Sequence, residues 1–408
     1  VKPSRFVKAF AAVVPGACAA LLIAAPLAAA PAPAGFPAAI RSVGGSLPRD
    51  PGPAADLVFV VAGDSRPTGY RGPLPRVASV IFDEIGLIRP AFALWSGDII
   101  YGYGDSASER AAEYSGFESL ARRAGVSVFS APGNHDIAFL DGEPCGPRES
   151  EKDFAARFGA LWGSFDFAGA HFILLDTAVP CHEDEIEGEQ LSWLERDLEA
   201  HKDARAVFIS THTPFFTPPG IDPADGRSHP HIRNADALHD LFRRYPVRMV
   251  FSGHDHLFAD QERDGIAYLI AAGGGAPLYA PPQRGGFSHY VVVRLHGGQA
   301  SFDVIEPGRF YLQPAPAPAG TRRTWVVNSN DADLPARGIR LRVPAEMAPC
   351  GRLSVSTDLR RYGGAVVPVP VSTTSCRSEG SEIALELSMT VPRRASVPIV
   401  VERRRSRR

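Results

Sequence analysis

"DLVFVVAGD", residues 56–64, is an unbroken apolar run that stops on Gly63 and Asp64. It shows no alternation of polar and apolar residues, so the spacing predicts a strand covered on both faces. "RVASVIFDEIGLI" follows with helical spacing, and "AFALWSGD" is a second strand ending in Gly97 and Asp98. "ERAAEYSGFESLARRAG" reads as an amphipathic helix closed by Gly125. "VSVFSAPGNHD" is a third strand that breaks into Gly133, Asn134, His135 and Asp136. Further on, "HFILLDTA", "RAVFISTH" and "VRMVFSGHDH" read as strands, with helices in "EGEQLSWLERDLEA" and "NADALHDLFRRY". Strand and helix in alternation imply βαβ units, an α/β class and a largely parallel sheet. "IAYLIAAGGG", "SHYVVVRLHG" and "QASFDVIEP" are expected to be sequential hairpin strands.

Five expected strands end in Asp, Asn or His: Gly63-Asp64, Gly97-Asp98, Gly133 to Asp136, Thr211-His212, and Gly253-His254-Asp255-His256. Each piece alone is a common polar turn. Together they fall where open α/β sheets place their sites, beyond the carboxyl ends of the strands. Carboxylates, imidazoles and an amide oxygen suit hard-to-borderline metal ions. A pair of such ions can activate water and neutralise a phosphoryl oxyanion, with one Asp bridging them. The glycines before Asp64, Asp98, Asn134 and His254 are expected to let the backbone turn sharply off the strand.

Over about residues 56–306 this five-block pattern closely resembles the calcineurin-like metallophosphoesterase superfamily. The resemblance implies two packed mixed β-sheets flanked by helices and a dinuclear metal site. By position, Asp64 would bind the first ion and Asp98 would bridge both. Asn134, His212 and His254 would bind the second ion, and His256 would return to the first. His135 would contact the phosphate oxygen or protonate the leaving group, with Asp136 orienting it. "GDSR" departs from many members, which carry a His ligand where Arg66 stands. An Arg is not a normal ligand; its planar fork suits a substrate phosphate, or it forms a surface ion pair. "GDIIY" matches the second block of purple acid phosphatases, in which a Tyr binds ferric iron, so Tyr101 is either a ligand or a pocket wall. The expected cofactors are two metal ions per chain, iron with zinc, manganese or a second iron. Tyr103 is either a stacking surface for an aromatic leaving group or part of a solvated loop. His229 and His231 are either at the substrate mouth or on the plain surface.

The 408-residue chain has a formal net charge of −2, so nothing global points to nucleic acid. Residues 1–34 have the basic, apolar and small-residue layout of a secretory signal peptide, with an uncleaved anchor as the alternative. A Pro- and Gly-rich linker is expected at 35–55, the catalytic domain at 56–310, a second Pro/Ala-rich linker at 311–322, and a small C-terminal β-sandwich with a basic tail at 323–408. No stable membrane span is expected after cleavage. The protein would be exported, to periplasm or exterior. Cys145 is expected to pair with Cys181 and Cys350 with Cys376, each bridge within one domain. The expected function is hydrolysis of small phosphate esters by attack of metal-bound hydroxide. The alternatives are a phosphodiesterase of cyclic-nucleotide or lipid-headgroup type, or a non-catalytic binding protein with a degenerate metal site.

Overall fold

The computed structural model describes residues 39–140, 142–216, 231–357, 359–360, 366–367 and 369–404. The leader, His229 and the last four residues of the basic tail lie outside them.

The first apolar run is β2 (Leu57–Ala62), after a short β1 (Val43–Gly44), and all six of its residues are buried. Because strand side chains alternate, Val58, Val60 and Ala62 join one core and Leu57, Phe59 and Val61 another. The first core lies under α1 (Arg76–Ile88) and α2 (Ala107–Ala124). The second is the layer between two sheets, where Phe59 meets the rings of Phe92, Phe172, Phe208 and Phe251 at 5.0–6.1 Å between centroids.

The first sheet has the order β1-β4-β3-β2-β11-β12, with β3 (Ala93–Trp95), β4 (Ser127–Ser130), β11 (Tyr290–His296) and β12 (Gln299–Ile305). β2, β3 and β4 run parallel, whereas β1, β11 and β12 pair antiparallel. The second sheet has the order β5-β6-β7-β8-β10-β9. Its strands are β5 (Gly163–Phe167), β6 (Ala170–Leu174), β7 (Val207–Ser210), β8 (Val247–Ser252), β9 (Phe258–Arg263) and β10 (Ile266–Ala271). Its outer face packs on α5 (Gly188–Ala200) and α6 (Ala235–Phe242), while α3 (Asn134–Ile137) and α4 (Glu149–Phe158) follow β4. The result is two mixed sheets between helices, with a β-sandwich toward the C-terminus.

Three expectations need correction. β10 and β11 are not hairpin partners: β10 runs parallel to β8 in the second sheet, and β11 crosses to β2 in the first. The segment expected as an N-terminal linker contributes an edge strand, since Val43 pairs with Val128. The second expected linker is largely a hairpin, with Phe310–Ala315 antiparallel to Thr321–Asn328. Pro314 is tolerated there because this is the outermost strand of its sheet. One continuous apolar cluster joins Ile81 and Phe82 of α1 to Leu334, Ile339 and Leu387 of the sandwich. Glu84 of α1 also accepts hydrogen bonds from Gly308 N, Phe310 N and Tyr290 Oη. The junction is therefore packed rather than a loose tether. Both expected disulfides are present, Cys145–Cys181 and Cys350–Cys376.

Candidate metal centre

β2, β3 and β4 of one sheet and β7 and β8 of the other end at the same edge of the interlayer, and each delivers polar residues there. Asp64, Asp98 and His254 leave their strands with φ of 57°, 55° and 68°. Left-handed backbone is uncommon for residues with a side chain and clusters at functional sites. The expected reason for the preceding glycines is thus partly replaced, because the sharp turn is made by the ligand-type residues themselves. What Gly133 and Gly253 supply is room. A Cβ at Gly133 would sit 2.3 Å from Asp98 Oδ1, and one at Gly253 would sit 2.5 Å from Asp64 Oδ2.

Asn134, His212 and His254 converge. Asn134 Oδ1 lies 2.8 Å from His212 Nε2 and 3.0 Å from His254 Nδ1, and the two ring nitrogens are 3.2 Å apart. His212 Nδ1 donates to the Ser96 carbonyl at 2.7 Å, which turns the Nε2 lone pair toward the cluster. Asp98 Oδ1 is 3.4 Å from that same Nε2. On the other side, His256 Nδ1 donates to Pro277 O at 2.6 Å and presents Nε2 to Asp64 Oδ1 at 3.3 Å. Ligand atoms of Asp64, Asp98 and His212 all lie within 4.8 Å of one another. Closely facing acceptors of this kind fit a cation held among them, so the donor set suits a metal ion.

The electrostatics agree. Burial pushes the Asp64 carboxyl well above its ordinary range, with the neighbouring Asp98 adding to the shift. Burial acts the same way on Asp98, but the charges of His212, His135 and Arg66 overcome it and hold that carboxyl low. Burial pulls His256 down to about 4 and His254 well below its usual value, so both rings are neutral and able to ligate near pH 7.

Arg66 is not a surface ion pair. It is buried, with Nε 3.3 Å from Asp98 Oδ2 and Nη1 on Pro67 O. His135 sits at the rim, its pKa lowered by burial to about 4, with Nδ1 on Tyr101 O at 2.5 Å. Asp136 does not orient that ring. Its carboxylate instead takes the backbone N–H groups of Asp98, Ile99 and Gly133 and the hydroxyl of buried Tyr114. It thus ties the second and third blocks together, and the Tyr101 carbonyl does the orienting. The Tyr101 ring lies 5.5 Å from that of His135. His231 Nε2 approaches buried Asp255 at 3.7 Å, beside the fifth block.

Tyr279 escaped the sequence reading, and so did the polar contact that Tyr103 makes. Tyr103 is partly buried rather than in a solvated loop; its hydroxyl accepts from Asn134 Nδ2 at 3.1 Å, and its ring meets His135 edge-on at 4.6 Å. Tyr279 stacks on His256 at 4.0 Å. Neither belongs to a polar strand end, the signal that found the others.

A second group, Asp166, His171 and His201, also brings ligand atoms together. Both His171 nitrogens face carboxylates at 2.8 Å, and His201 stacks on it with planes 13° apart. Parallel rings cannot aim both lone pairs at one ion, so this is an ion-paired staple between β6 and α5.

Residues 57–258 match the calcineurin-like phosphoesterase family model. The chain is 25% identical over 203 residues to Fe(3+)-Zn(2+) purple acid phosphatase 12 of Arabidopsis thaliana, covering 44% of this chain and 40% of that protein. Among solved structures, a purple acid phosphatase from yellow lupin (Lupinus luteus) seeds superposes with a TM-score of 0.51 at 16% identity, over 63% of this chain and 53% of that one. A dimetal phosphatase from Danio rerio aligns with a TM-score of 0.45 at 15% identity, over 63% of this chain and 100% of that one. The chain thus spans about half the length, or less, of the two purple acid phosphatases it matches.

Proposed function

We propose, from a chain whose residues 57–258 match the calcineurin-like phosphoesterase family model, that the protein is a metal-dependent hydrolase of small phosphate esters. The observation that carries this reading is the convergence of Asn134 Oδ1, His212 Nε2 and His254 Nδ1, 2.8–3.2 Å apart, beside the Asp98 carboxylate.

These four residues would hold one ion. Asp64, His256 and the shared Asp98 would hold the other. When bound, the ions lower the pKa of water and neutralise charge on the phosphoryl oxygens. Tyr101 would be either a further ligand of that ion or a wall of the pocket, and the set is taken here without it. The remaining ligands, two carboxylates and an imidazole, suit a divalent ion such as zinc or manganese in that position as well as iron.

The chain's own groups do the rest. The buried Arg66 guanidinium binds the phosphate oxygens beside Asp98. His135, whose Nδ1–H is held by the Tyr101 carbonyl, keeps Nε2 for the substrate; the ring would first take up a proton at Nε2, a form that a bound phosphate anion favours, and would hand that proton to the departing ester oxygen. Asp136 acts through the backbone by fixing the Asp98 and Gly133 turns. Two disulfides suit a chain that matures in an oxidising compartment, which supports export to periplasm or exterior.

The reading is tested by metal analysis of the purified protein together with assays of an aryl phosphate and a bis-aryl phosphodiester. Metal-dependent turnover of either supports it, and their ratio assigns monoester or diester preference. Protein that binds no metal and hydrolyses neither would refute it.

A further inference from the structure

Asn134 has two chemically different ends, and a ligand role uses only one. Its Oδ1 faces His212 Nε2 and His254 Nδ1. Its amino group must then find an acceptor on the opposite side, in a partly buried place. Among the described residues that acceptor is the Tyr103 hydroxyl, at 3.1 Å.

The loop carrying Tyr103 is built against this turn. Tyr103 N donates to Tyr101 O at 2.9 Å, and Gly102 N donates to Asp105 Oδ2 at 2.8 Å. Gly102 packs so closely on the Asn134–His135 turn that a Cβ there would meet His135 O at 1.9 Å. The Tyr103 ring also meets the His135 ring at 4.6 Å. The hydroxyl is thereby held at a fixed height over the Asn134 amide.

We propose that Tyr103 is a positioning residue for the metal centre, its hydroxyl holding the Asn134 amide so that Oδ1 stays on the ion. This rests on the reading of Asn134 as a ligand. Partners that hold ligands in place typically change metal affinity by about 10–100-fold when removed.

Tyr103→Phe tests it, because it keeps the ring against His135 and removes only the oxygen. The full chain is titrated with zinc against a chromophoric chelator. One zinc equivalent should weaken by about 10–100-fold, and the activity lost at limiting zinc should return in excess zinc. Asn134→Ala should weaken the same equivalent, and adding Tyr103→Phe to it should change nothing further. If Tyr103→Phe binds zinc like the parent while Asn134→Ala is weakened, the inference is overturned and the metal-centre reading survives. An activity deficit that excess zinc leaves in place, or additive losses in the double variant, would also overturn it. Parent-like affinity in Asn134→Ala would bring down both.

Discussion

A single added methyl should distinguish a site built by close approach from one built by flexible turns. Gly133→Ala places a Cβ against Asp98 Oδ1 and the Asp98 amide. Neither can yield, because both are tied to Asp136 and His135. We expect the variant to fold, bind metal poorly and lose most activity; parent-like metal content would show that the contact is unimportant. His135→Ala should separate chemistry from binding. It should keep the metal content and slow turnover by about a hundredfold or more, the usual contribution of a proton-transfer group. Loss of metal in that variant would mean that its role is misassigned. Ligand-type residues were legible because each interrupts an apolar run at a strand end, where nothing in sheet propensity asks for Asp, Asn or His. What Tyr103 and Asp136 touch was not legible. Their contacts cross between loops, and no spacing in one chain records which backbone amide a carboxylate will meet.

Elements with both faces buried announced themselves, and some half-exposed ones did not. β2 is apolar throughout and was evident, whereas β5 is mostly half-buried and β9 exposes Asp260, Glu262 and Arg263. The partner sheet of each strand was also hidden, since β10 and β11 have similar apolar runs and yet lie in different sheets. At this scale Phe59 is the keystone of the layer between the sheets. Phe59→Ala should cost about 3–5 kcal/mol, read by denaturant melts; a loss below about 1 kcal/mol would mean that the layer repacks. Glu84, which joins α1 to the strands at residues 290 and 310, has its pKa raised by burial from 4.5 to about 7. Between those two values the folded chain keeps a proton that the unfolded chain has lost. Stability therefore falls as pH rises through that window and is level above it. Glu84→Gln can accept the same backbone N–H groups without a charge. It should melt higher than the parent at pH 8, with the gap closing toward pH 4. A constant gap across that range would contradict the assignment.

Across the whole molecule, composition and punctuation suggested two bodies joined by a Pro-rich tether, and the structure gives a packed junction. The tether looked convincing because Pro and Ala suit a stiff linker, yet they are also compatible with an edge strand. Gly338 of the sandwich approaches α1 so closely that a Cβ would lie 2.0 Å from Gly86 O. The Arg89–Glu386 ion pair, at 2.9 Å, spans the same junction. Calorimetry should therefore show one cooperative transition for the two parts, and Gly338→Val should lower it, at a cost of about 1–3 kcal/mol from forced packing. Two separate transitions in the parent would contradict a shared core. The resemblance to the calcineurin-like phosphoesterases and the cluster of ligand-type residues were readable because one chemistry recurs at five strand ends. The substrate is not, since on the proposed reading loops beyond those ends would choose it. The central claim is that Asp98, Asn134, His212 and His254 hold a metal ion that hydrolysis requires. Its most direct test is metal content measured beside aryl phosphate turnover in the parent and in His212→Ala, at matched thermal stability. The account predicts bound metal and activity in the parent, with metal depleted and turnover reduced by orders of magnitude in the variant. Equal metal content and equal turnover in the two proteins would contradict it.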